Sequence, residues 1–204
     1  MRSRKHLGFS LLELMITVCI ALILIGATYM GMRPLLYRGH VDSAYDTTLM
    51  VLRNTRHLAI TQSHEYLVIF NNANGTIQVQ YQPPAIGGIF PPLQLVNTYS
   101  LPVDMSFAVQ GGWPAVAPDS FGAGATAVDF GQGLGGGSLN YVAFMPDGSA
   151  RDTLGNYNNG VVYITRPADT TINSSRAITV WGATGRVRGW RLVQQAGAPI
   201  WMQQ

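Results

Sequence analysis

Residues 8–32 read GFSLLELMITVCIALILIGATYMGM, and this stretch decides the class of fold. No charged side chain occurs from Leu14 to Met32, a run of 19 residues. As a helix rising ~1.5 Å per residue, the run spans roughly 28 Å, which is enough to cross the hydrocarbon core of a bilayer. A helix in the core of a soluble protein is rarely so long and so uniformly apolar. We therefore predict a membrane-spanning helix near the N-terminus.

Basic residues precede the apolar run and bear on its type and orientation. Arg2, Arg4 and Lys5 resemble the start of a secretory signal peptide, but the apolar region of such a peptide is only about 7–15 residues long. The far end of the run, TYMGMRPLLYR, also lacks a small-x-small cleavage pattern. Because basic residues are scarcer just after the run than before it, we expect a cytoplasmic N-terminus and an outward-facing domain after Arg33.

The net charge and the cysteine content limit the possible functions. The formal charge is +3, but the three basic residues at 2–5 account for all of it, since removing them from the 13 leaves 10 basic against 10 acidic side chains. The domain is therefore not generally basic. The single cysteine, Cys19, excludes an internal disulfide and a cysteine-rich metal site, so core packing alone must hold the domain together.

Glu13 is the one acid close to the apolar run, and a carboxylate near hydrocarbon usually marks a function or a partner. The sequence GFSLLE at 8–13 resembles the class III leader junction of type IV pilins and type II secretion pseudopilins. That resemblance implies that a prepilin peptidase cuts between Gly8 and Phe9, methylates the new amine, and leaves Glu13 for assembly. The cationic amine can then pair with Glu13 of a neighbouring subunit, which makes burial of either charge tolerable. The alternative is a glutamate at the headgroup level of an ordinary anchor.

After the anchor, apolar residues continue at helical spacing to about residue 63, which predicts an amphipathic helix packed on a sheet. The predicted apolar face consists of Val41, Tyr45, Leu49, Leu52, Ala59 and Ile60. Arg56 falls within this face. We expect its side chain to reach backbone carbonyls or a carboxylate at the sheet edge, with a contact to another subunit as the alternative.

Short β-rich runs separated by turn residues fill the rest of the chain. Runs at 66–70 and 76–81, joined by NNANG, predict a hairpin. Further strands are predicted at 95–101, 105–109, 127–130, 139–145, 160–165, 177–181 and 186–193. Proline and glycine predict flexible loops around 82–94 and 110–138, and the glycine run at 131–137 lacks the strand-to-helix context of a phosphate-binding loop.

The predicted fold class is α+β, with a long N-terminal transmembrane-plus-amphipathic helix packed on an antiparallel β-sheet domain of two small sheets. Its segments are a leader at 1–8, a transmembrane helix at 9–33, an amphipathic continuation at 34–63, and a β-rich periplasmic or extracellular domain at 64–204. The layout is similar to the GspH/FimT group of minor pseudopilins and minor pilins. The segments that carry this similarity are LMVLRNTRHLAI, YLVIF, FMPDG, and a terminal hairpin with ITV and GRVR.

The resemblance implies a non-enzymatic subunit of a type II secretion pseudopilus or a type IV pilus, without choosing between them. Such a subunit has a single pass through the bacterial inner membrane, with the N-terminus cytoplasmic and the C-terminal domain periplasmic, before it joins the filament or its tip. Its implied partners are the prepilin peptidase, other pilins or pseudopilins, and inner-membrane lipid, and no cofactor or metal is implied.

The residues form no recognisable catalytic constellation. The sequence contains no His-Glu-x-x-His motif and no nucleophile elbow. His57 and His64, with the adjacent Glu65, are more simply an exposed helix face than a metal pair.

The sequence GRVRGWR at 185–191 is the strongest candidate for ligand binding. Strand alternation projects Arg186 and Arg188 from one face, and arginines beside an aromatic residue suit phosphate contact and base stacking. The stretch also resembles the C-terminal motif associated with DNA binding in FimT-type minor pilins. A second hypothesis is therefore a minor pilin for DNA uptake, with Arg186 and Arg188 as the main contacts to double-stranded DNA and Arg176 and Arg191 as helpers. The alternative is that these arginines solvate an exposed strand or bond a neighbouring loop.

Overall fold

In the computed structural model, the described residues are 10–114, 117–122, 126–132, 138–169 and 171–204, with side chains described for all of these except 30–38 and 173. The predicted cleavage residues Gly8 and Phe9 and most of the glycine run at 131–137 lie outside the described residues. The chain divides into two units, Met1–Gly39 and His40–Gln204.

One helix, α1, runs from Leu11 to Gln62, and its first part is the predicted apolar segment. From Leu11 to Tyr29 the mean hydropathy is 2.4, and the side chains are exposed throughout. This stretch is long and apolar enough to cross a membrane. Glu13 lies in the first turn of α1 with its side chain exposed. A continuous apolar surface of this size calls for an apolar environment around it.

From His40 onward, α1 buries one face in the second unit. The buried residues recur every three or four positions, as an amphipathic helix requires: Val41, Ala44, Tyr45, Thr48, Val51, Leu52, Thr55 and Ala59. The two buried threonines keep their hydroxyls satisfied by donating to the carbonyls of Ala44 and Val51, at 2.8 and 2.7 Å. Of the predicted apolar face, Val41, Tyr45, Leu52 and Ala59 are buried, Leu49 is partly buried, and Ile60 at its end is 40% exposed.

Among the residues that the structure describes, ten strands follow α1 and form two five-stranded antiparallel sheets. Their bounds are β1 Glu65–Asn71, β2 Thr76–Gln82, β3 Gln94–Ser100, β4 Val128–Gln132, β5 Tyr141–Phe144, β6 Ala150–Arg151, β7 Asn159–Thr165, β8 Ser175–Trp181, β9 Arg186–Gln195 and β10 Ala198–Gln203. The first sheet has the order β3-β2-β1-β5-β6, and the second has the order β10-β9-β8-β7-β4. The α+β class and the two antiparallel sheets are thus as predicted.

Both sheets and the buried face of α1 contribute to one hydrophobic core. Its largest fully buried side chains include Phe70, Phe130, Phe144, Leu52 and Ile178. Phe70 of β1 and Phe130 of β4 stack with ring centroids 5.8 Å apart, which joins the two sheets at the centre of the core. A smaller cluster lies around Tyr163 on the second sheet, where burial raises the pKa of this tyrosine to about 12.

One predicted strand is absent from the structure, and two observed strands, β6 and β10, were not predicted. The predicted strand at 105–109 is wrong, because this segment pairs only through an isolated bridge between Ser106 and Thr165. The C-terminal tail, for which no strand was predicted, forms β10 along β9, with Trp201 opposite Leu192. In both cases the outcome depends on which backbone lies alongside, and that is not a local property of the segment.

Candidate functional site

Arg56 of α1 joins two turns that are far apart in sequence. Its Nε donates to the carbonyl of Gly148 at 3.0 Å, and one Nη donates to the carbonyl of Thr184 at 3.0 Å. The prediction that Arg56 reaches backbone carbonyls at the sheet edge is confirmed. The Phe-x-Pro-Asp-Gly turn and the turn before β9 therefore meet beside the helix.

The geometry of these two turns depends on their small and polar residues. Gly185 has φ = 58°, and a Cβ there would lie only 2.8 Å from Nε of Arg56 and would overlap the carbonyl oxygen of Gly148. In the other turn, Asp147 accepts hydrogen bonds from the hydroxyl and the backbone N–H of Ser149. These two bonds, and to a smaller extent the Arg151 guanidinium, hold the pKa of Asp147 below its ordinary value. Asp147 thus stabilises the turn between β5 and β6.

Arg186 begins β9 immediately after the Gly182–Gly185 turn, and its side chain is exposed. It borders a groove of about 480 Å³ that is also lined by Arg53, Arg56, Thr184 and Val187. This groove, which we call the arginine groove, lies between α1 and the start of β9. Its two helix arginines were not among the predicted ligand-binding residues.

Arg188 lies on the same face of β9 as Arg186, as predicted. Arg188 stands opposite Thr179 of β8, and Arg186 stands opposite Trp181, two residues further along the same strand. The Arg188 guanidinium, however, is paired with Asp119 at 2.8 Å, with 24% of the Arg188 side chain and 6% of Asp119 exposed. Asp119 also accepts from the Thr179 hydroxyl at 2.6 Å and from the indole N–H of Trp181 at 3.0 Å. Arg188 therefore bonds a neighbouring loop and holds it against the sheet.

Arg176 and Arg191 occupy different surroundings from Arg186. Arg176 is only 9% exposed and donates to Asp42 at 2.8 Å, which ties β8 to α1. Arg191 stands directly opposite Arg176 in the β8–β9 register and is exposed. By strand alternation it lies on the face of β9 opposite to Arg186. Arg186 thus borders the arginine groove, whereas Arg188 and Arg176 are held by carboxylates of other segments.

A sequence signal for the helix arginines does exist in retrospect. Arg53 and Arg56 are three residues apart on α1, so their side chains leave the same side of the helix. Helical periodicity could show that Arg53 and Arg56 share a side of the helix, but not that the turn with Thr184, 128 residues after Arg56, lies beside them.

Histidines and acids do not assemble into a metal site in the part of the chain that the structure describes. Within those residues no group of three or more His, Cys, Asp or Glu side chains is placed to hold a metal ion. His57 is exposed, whereas the His64 ring packs edge-on against Tyr81 with centroids 5.2 Å apart.

The N-terminal residues match a described family. Residues 3–29 match the model of the prokaryotic N-terminal methylation motif. The match covers the predicted leader junction and the apolar first part of α1, so the predicted resemblance to type IV pilin-like proteins is confirmed for this region.

Two solved structures are similar to this chain. One is the minor pseudopilin EpsH from the Type 2 Secretion System of Vibrio cholerae, with 10% identity and a TM-score of 0.46 over 74% of this chain and 97% of EpsH. The other is the type IV minor pilin FimU of Pseudomonas aeruginosa, with 8% identity and a TM-score of 0.45 over 80% of this chain and 94% of FimU. No curated protein matches the chain in sequence.

Proposed function

We propose that this chain is a non-enzymatic minor pilin or pseudopilin that a prepilin peptidase processes and that then joins a type II secretion pseudopilus or a type IV pilus. One observation carries the proposal: the methylation motif at 3–29 coincides with an apolar helix, Leu11–Tyr29, that has a single carboxylate in its first turn. The peptidase requires the junction at 8–13, and the filament requires the apolar helix.

The apolar surface of the helix suits a subunit that moves from the membrane into a filament. In the inner membrane, lipid covers the apolar side chains of Leu11–Tyr29, and in a filament the same surface packs against equivalent helices of other subunits. Both environments satisfy the exposed apolar surface. The N-terminus is cytoplasmic and the β domain periplasmic in this proposal, in agreement with the basic residues at 2–5.

Processing is tested by mass spectrometry of the protein isolated from membranes of cells with an active prepilin peptidase. The expected N-terminus is Phe9 carrying a methyl group on its amine. A Gly8→Val variant should keep residues 1–8, because a bulky residue replaces the glycine before the cut. An intact N-terminus in the unmodified protein would contradict the proposal.

A genetic experiment distinguishes a role in a type IV pilus from a role in a secretion pseudopilus. Deletion of the gene, with twitching, natural transformation and exoprotein release scored together, separates a pilus role from a secretion role. Loss of exoprotein release alone indicates the secretion pseudopilus, and loss of twitching or transformation indicates the pilus.

A second candidate function is DNA uptake, with double-stranded DNA as the ligand. The exposure of Arg186 beside Arg53 and Arg56 favours it, whereas Arg188 and Arg176 are held by Asp119 and Asp42. Titration with duplex DNA at several salt concentrations should show binding that falls steeply with salt and that an Arg186→Ala variant loses. No binding at low salt, or equal binding by the variant, would remove this function.

A further inference from the structure

An open cleft lies on the face of the second sheet that is turned away from α1. Gly189 of β9 lies against Tyr45 of α1, so the next residue, Trp190, projects from the opposite face of the sheet. The cleft has a volume of about 660 Å³ and is bordered by β9, β10 and the loop between β3 and β4. We call it the tryptophan cleft, because Trp113, Trp190 and Trp201 line it.

The aromatic walls of the tryptophan cleft are fixed by contacts within the domain. The rings of Trp113 and Trp201 meet edge to face, with centroids 5.3 Å apart. Both rings also contact Tyr163, at centroid distances of 4.9 and 5.8 Å. The indole N–H of Trp190 donates to the hydroxyl of Thr179 at 2.9 Å. All three tryptophans nevertheless stay partly exposed, so a preformed aromatic surface is open to a ligand.

The electrostatics of the tryptophan cleft favour an uncharged occupant. Of the described residues that line it, only Asp119 is ionisable, and its side chain is 6% exposed. The Asp119 carboxylate already accepts hydrogen bonds from Arg188, Thr179 and Trp181. A charged ligand would lose its hydration here without gaining an ionic partner. The occupant is therefore expected to be apolar.

The same domain carries an exposed apolar hairpin between β2 and β3. Ile86 and Ile89 exchange two backbone hydrogen bonds across a turn formed by Gly87 and Gly88. Both glycines have positive φ, 62° and 84°, as a tight two-residue hairpin turn requires. The side chains of Ile86, Ile89 and Phe90 are 76, 75 and 67% exposed. We call these three side chains the hairpin knob, and an apolar cluster of this kind marks an interaction site.

The loop that carries the hairpin knob is ordered at its base and uncharged. The side-chain amide of Gln82 donates to the carbonyls of Pro83 and Pro91, at 3.2 and 3.0 Å, which joins the two sides of the loop. No Asp, Glu, Lys or Arg occurs from Tyr66 to Val103. Docking of the knob therefore removes no charge from water, and an ordered loop loses little conformational entropy when it binds.

We propose that the tryptophan cleft of one subunit receives the hairpin knob of a second copy of this chain. One surface is an apolar projection, and the other is an apolar concavity whose one described carboxylate is already paired. A cleft of about 660 Å³ has the volume of a site for a drug-sized ligand, and three apolar side chains are of that size. Because the knob and the cleft are different surfaces, the contact is head-to-tail and can continue along a row of subunits.

The small size of the contact indicates where it acts. Three side chains bury less than the ~800 Å² per partner that a stable interface requires. The contact therefore forms between subunits that are already close together, since confinement raises their effective concentration. In this respect it rests on the proposed membrane anchor, but it requires neither cleavage after Gly8 nor methylation.

The first test titrates a peptide of residues 82–94 into the full-length protein in a neutral detergent. The peptide contains no tryptophan, whereas three of the four tryptophans of the protein line the cleft, so binding should change the tryptophan emission. Ala198→Glu should weaken binding at least tenfold, because Ala198 is an exposed residue of the cleft wall and the new carboxylate would lose hydration. Met202→Glu is the matched control, because Met202 is exposed on the same strand but does not line the cleft.

The second test measures self-association of the full-length protein by sedimentation velocity at high protein concentration, with a reductant that prevents cross-linking of Cys19. Ile86→Glu and Ala198→Glu should each reduce the oligomers to the level of monomers. Leu154→Glu should not, because Leu154 is 85% exposed and belongs to neither surface. A mixture of the Ile86→Glu and Ala198→Glu proteins should form dimers and no larger species, since only one knob and one cleft per pair are intact.

Three results would overturn the proposal: an unchanged emission with the peptide, equal peptide binding by Ala198→Glu, or equal self-association by Ile86→Glu. Decaproline is the comparison ligand, because aromatic grooves also bind polyproline II segments. Binding of decaproline at least as tight as that of the peptide would assign the cleft to a proline-rich partner and also overturn the proposal. The N-terminal mass of Ile86→Glu from membranes keeps the two proposals separate, since processing at Phe9 does not depend on the knob.

Discussion

A Gly189→Ala variant is expected to destabilise the β domain by about 3 kcal/mol or more. Gly189 lies on β9 against α1, and a Cβ there would overlap the hydroxyl of Tyr45 and lie 2.6 Å from its Cζ. Tyr45 is 7% exposed, and its rigid ring cannot swing away without leaving the core. Overpacking of a core typically costs about 1–3 kcal/mol and occasionally more, and we expect the upper end of that range or above.

Urea unfolding followed by tryptophan fluorescence measures this effect in the β domain alone, since all four tryptophans lie between residues 113 and 201. Gly111→Ala is the control, because a Cβ at Gly111 meets no atom within 4 Å. Adding Tyr45→Ala to Gly189→Ala should restore part of the lost stability by removing the clash. Unfolding of Gly189→Ala at the urea concentration of the unmodified protein would show that the helix and the strand are not in close contact.

A Glu13→Ala variant is expected to be cleaved and methylated almost normally but to be nearly absent from assembled filaments. Glu13 lies in the exposed first turn of α1, within an otherwise apolar surface. If its carboxylate neutralises the N-terminal amine of another subunit, its removal leaves that amine buried and unpaired, which typically costs about 3–5 kcal/mol. A cost of this size reduces incorporation by more than about a hundredfold.

Incorporation is measured by immunoblotting of the sheared filament fraction and the membrane fraction, with the N-terminal mass recorded for both. Thr17→Ala is a suitable control, because Thr17 lies one turn further along α1 and its hydroxyl only bonds the carbonyl of Leu14. Glu13→Gln separates charge from shape and should behave like Glu13→Ala. Impaired cleavage with normal incorporation would assign Glu13 to the peptidase and not to assembly.

Local patterns predicted most of the secondary structure because each element is encoded by its own residues. The hairpin at 65–82 follows from two alternating runs around NNANG, and its observed register pairs Phe70 with Ile77 and Val68 with Val79. The buried face of α1 follows from helical periodicity. Arg56 could be predicted to seek carbonyls because a charge within an apolar stripe needs polar partners.

For the arginines of β9, the local sequence predicted the strand face but not the ion pairs. Alternation predicted that Arg186 and Arg188 share a face, and the register of β8 and β9 confirms it. It could not predict that Asp119, from a loop about 70 residues earlier, forms an ion pair with Arg188, whereas Arg186 borders the arginine groove. The positive φ of 53° at Asp119 turns this loop back onto the sheet, and no periodic signal accompanies such a turn.

By itself the sequence determined the N-terminal motif, the apolar helix, the α+β class and most of the strands, because these depend on composition and spacing within short segments. Only the tertiary structure decided which charges are paired and which remain open to a ligand. The reason is physical: the availability of a guanidinium depends on the nearest carboxylate, and for Arg188 and Arg176 that carboxylate is supplied by a different part of the chain. The arginine groove exists for the same reason, because a helix and a strand turn meet in space around Arg56.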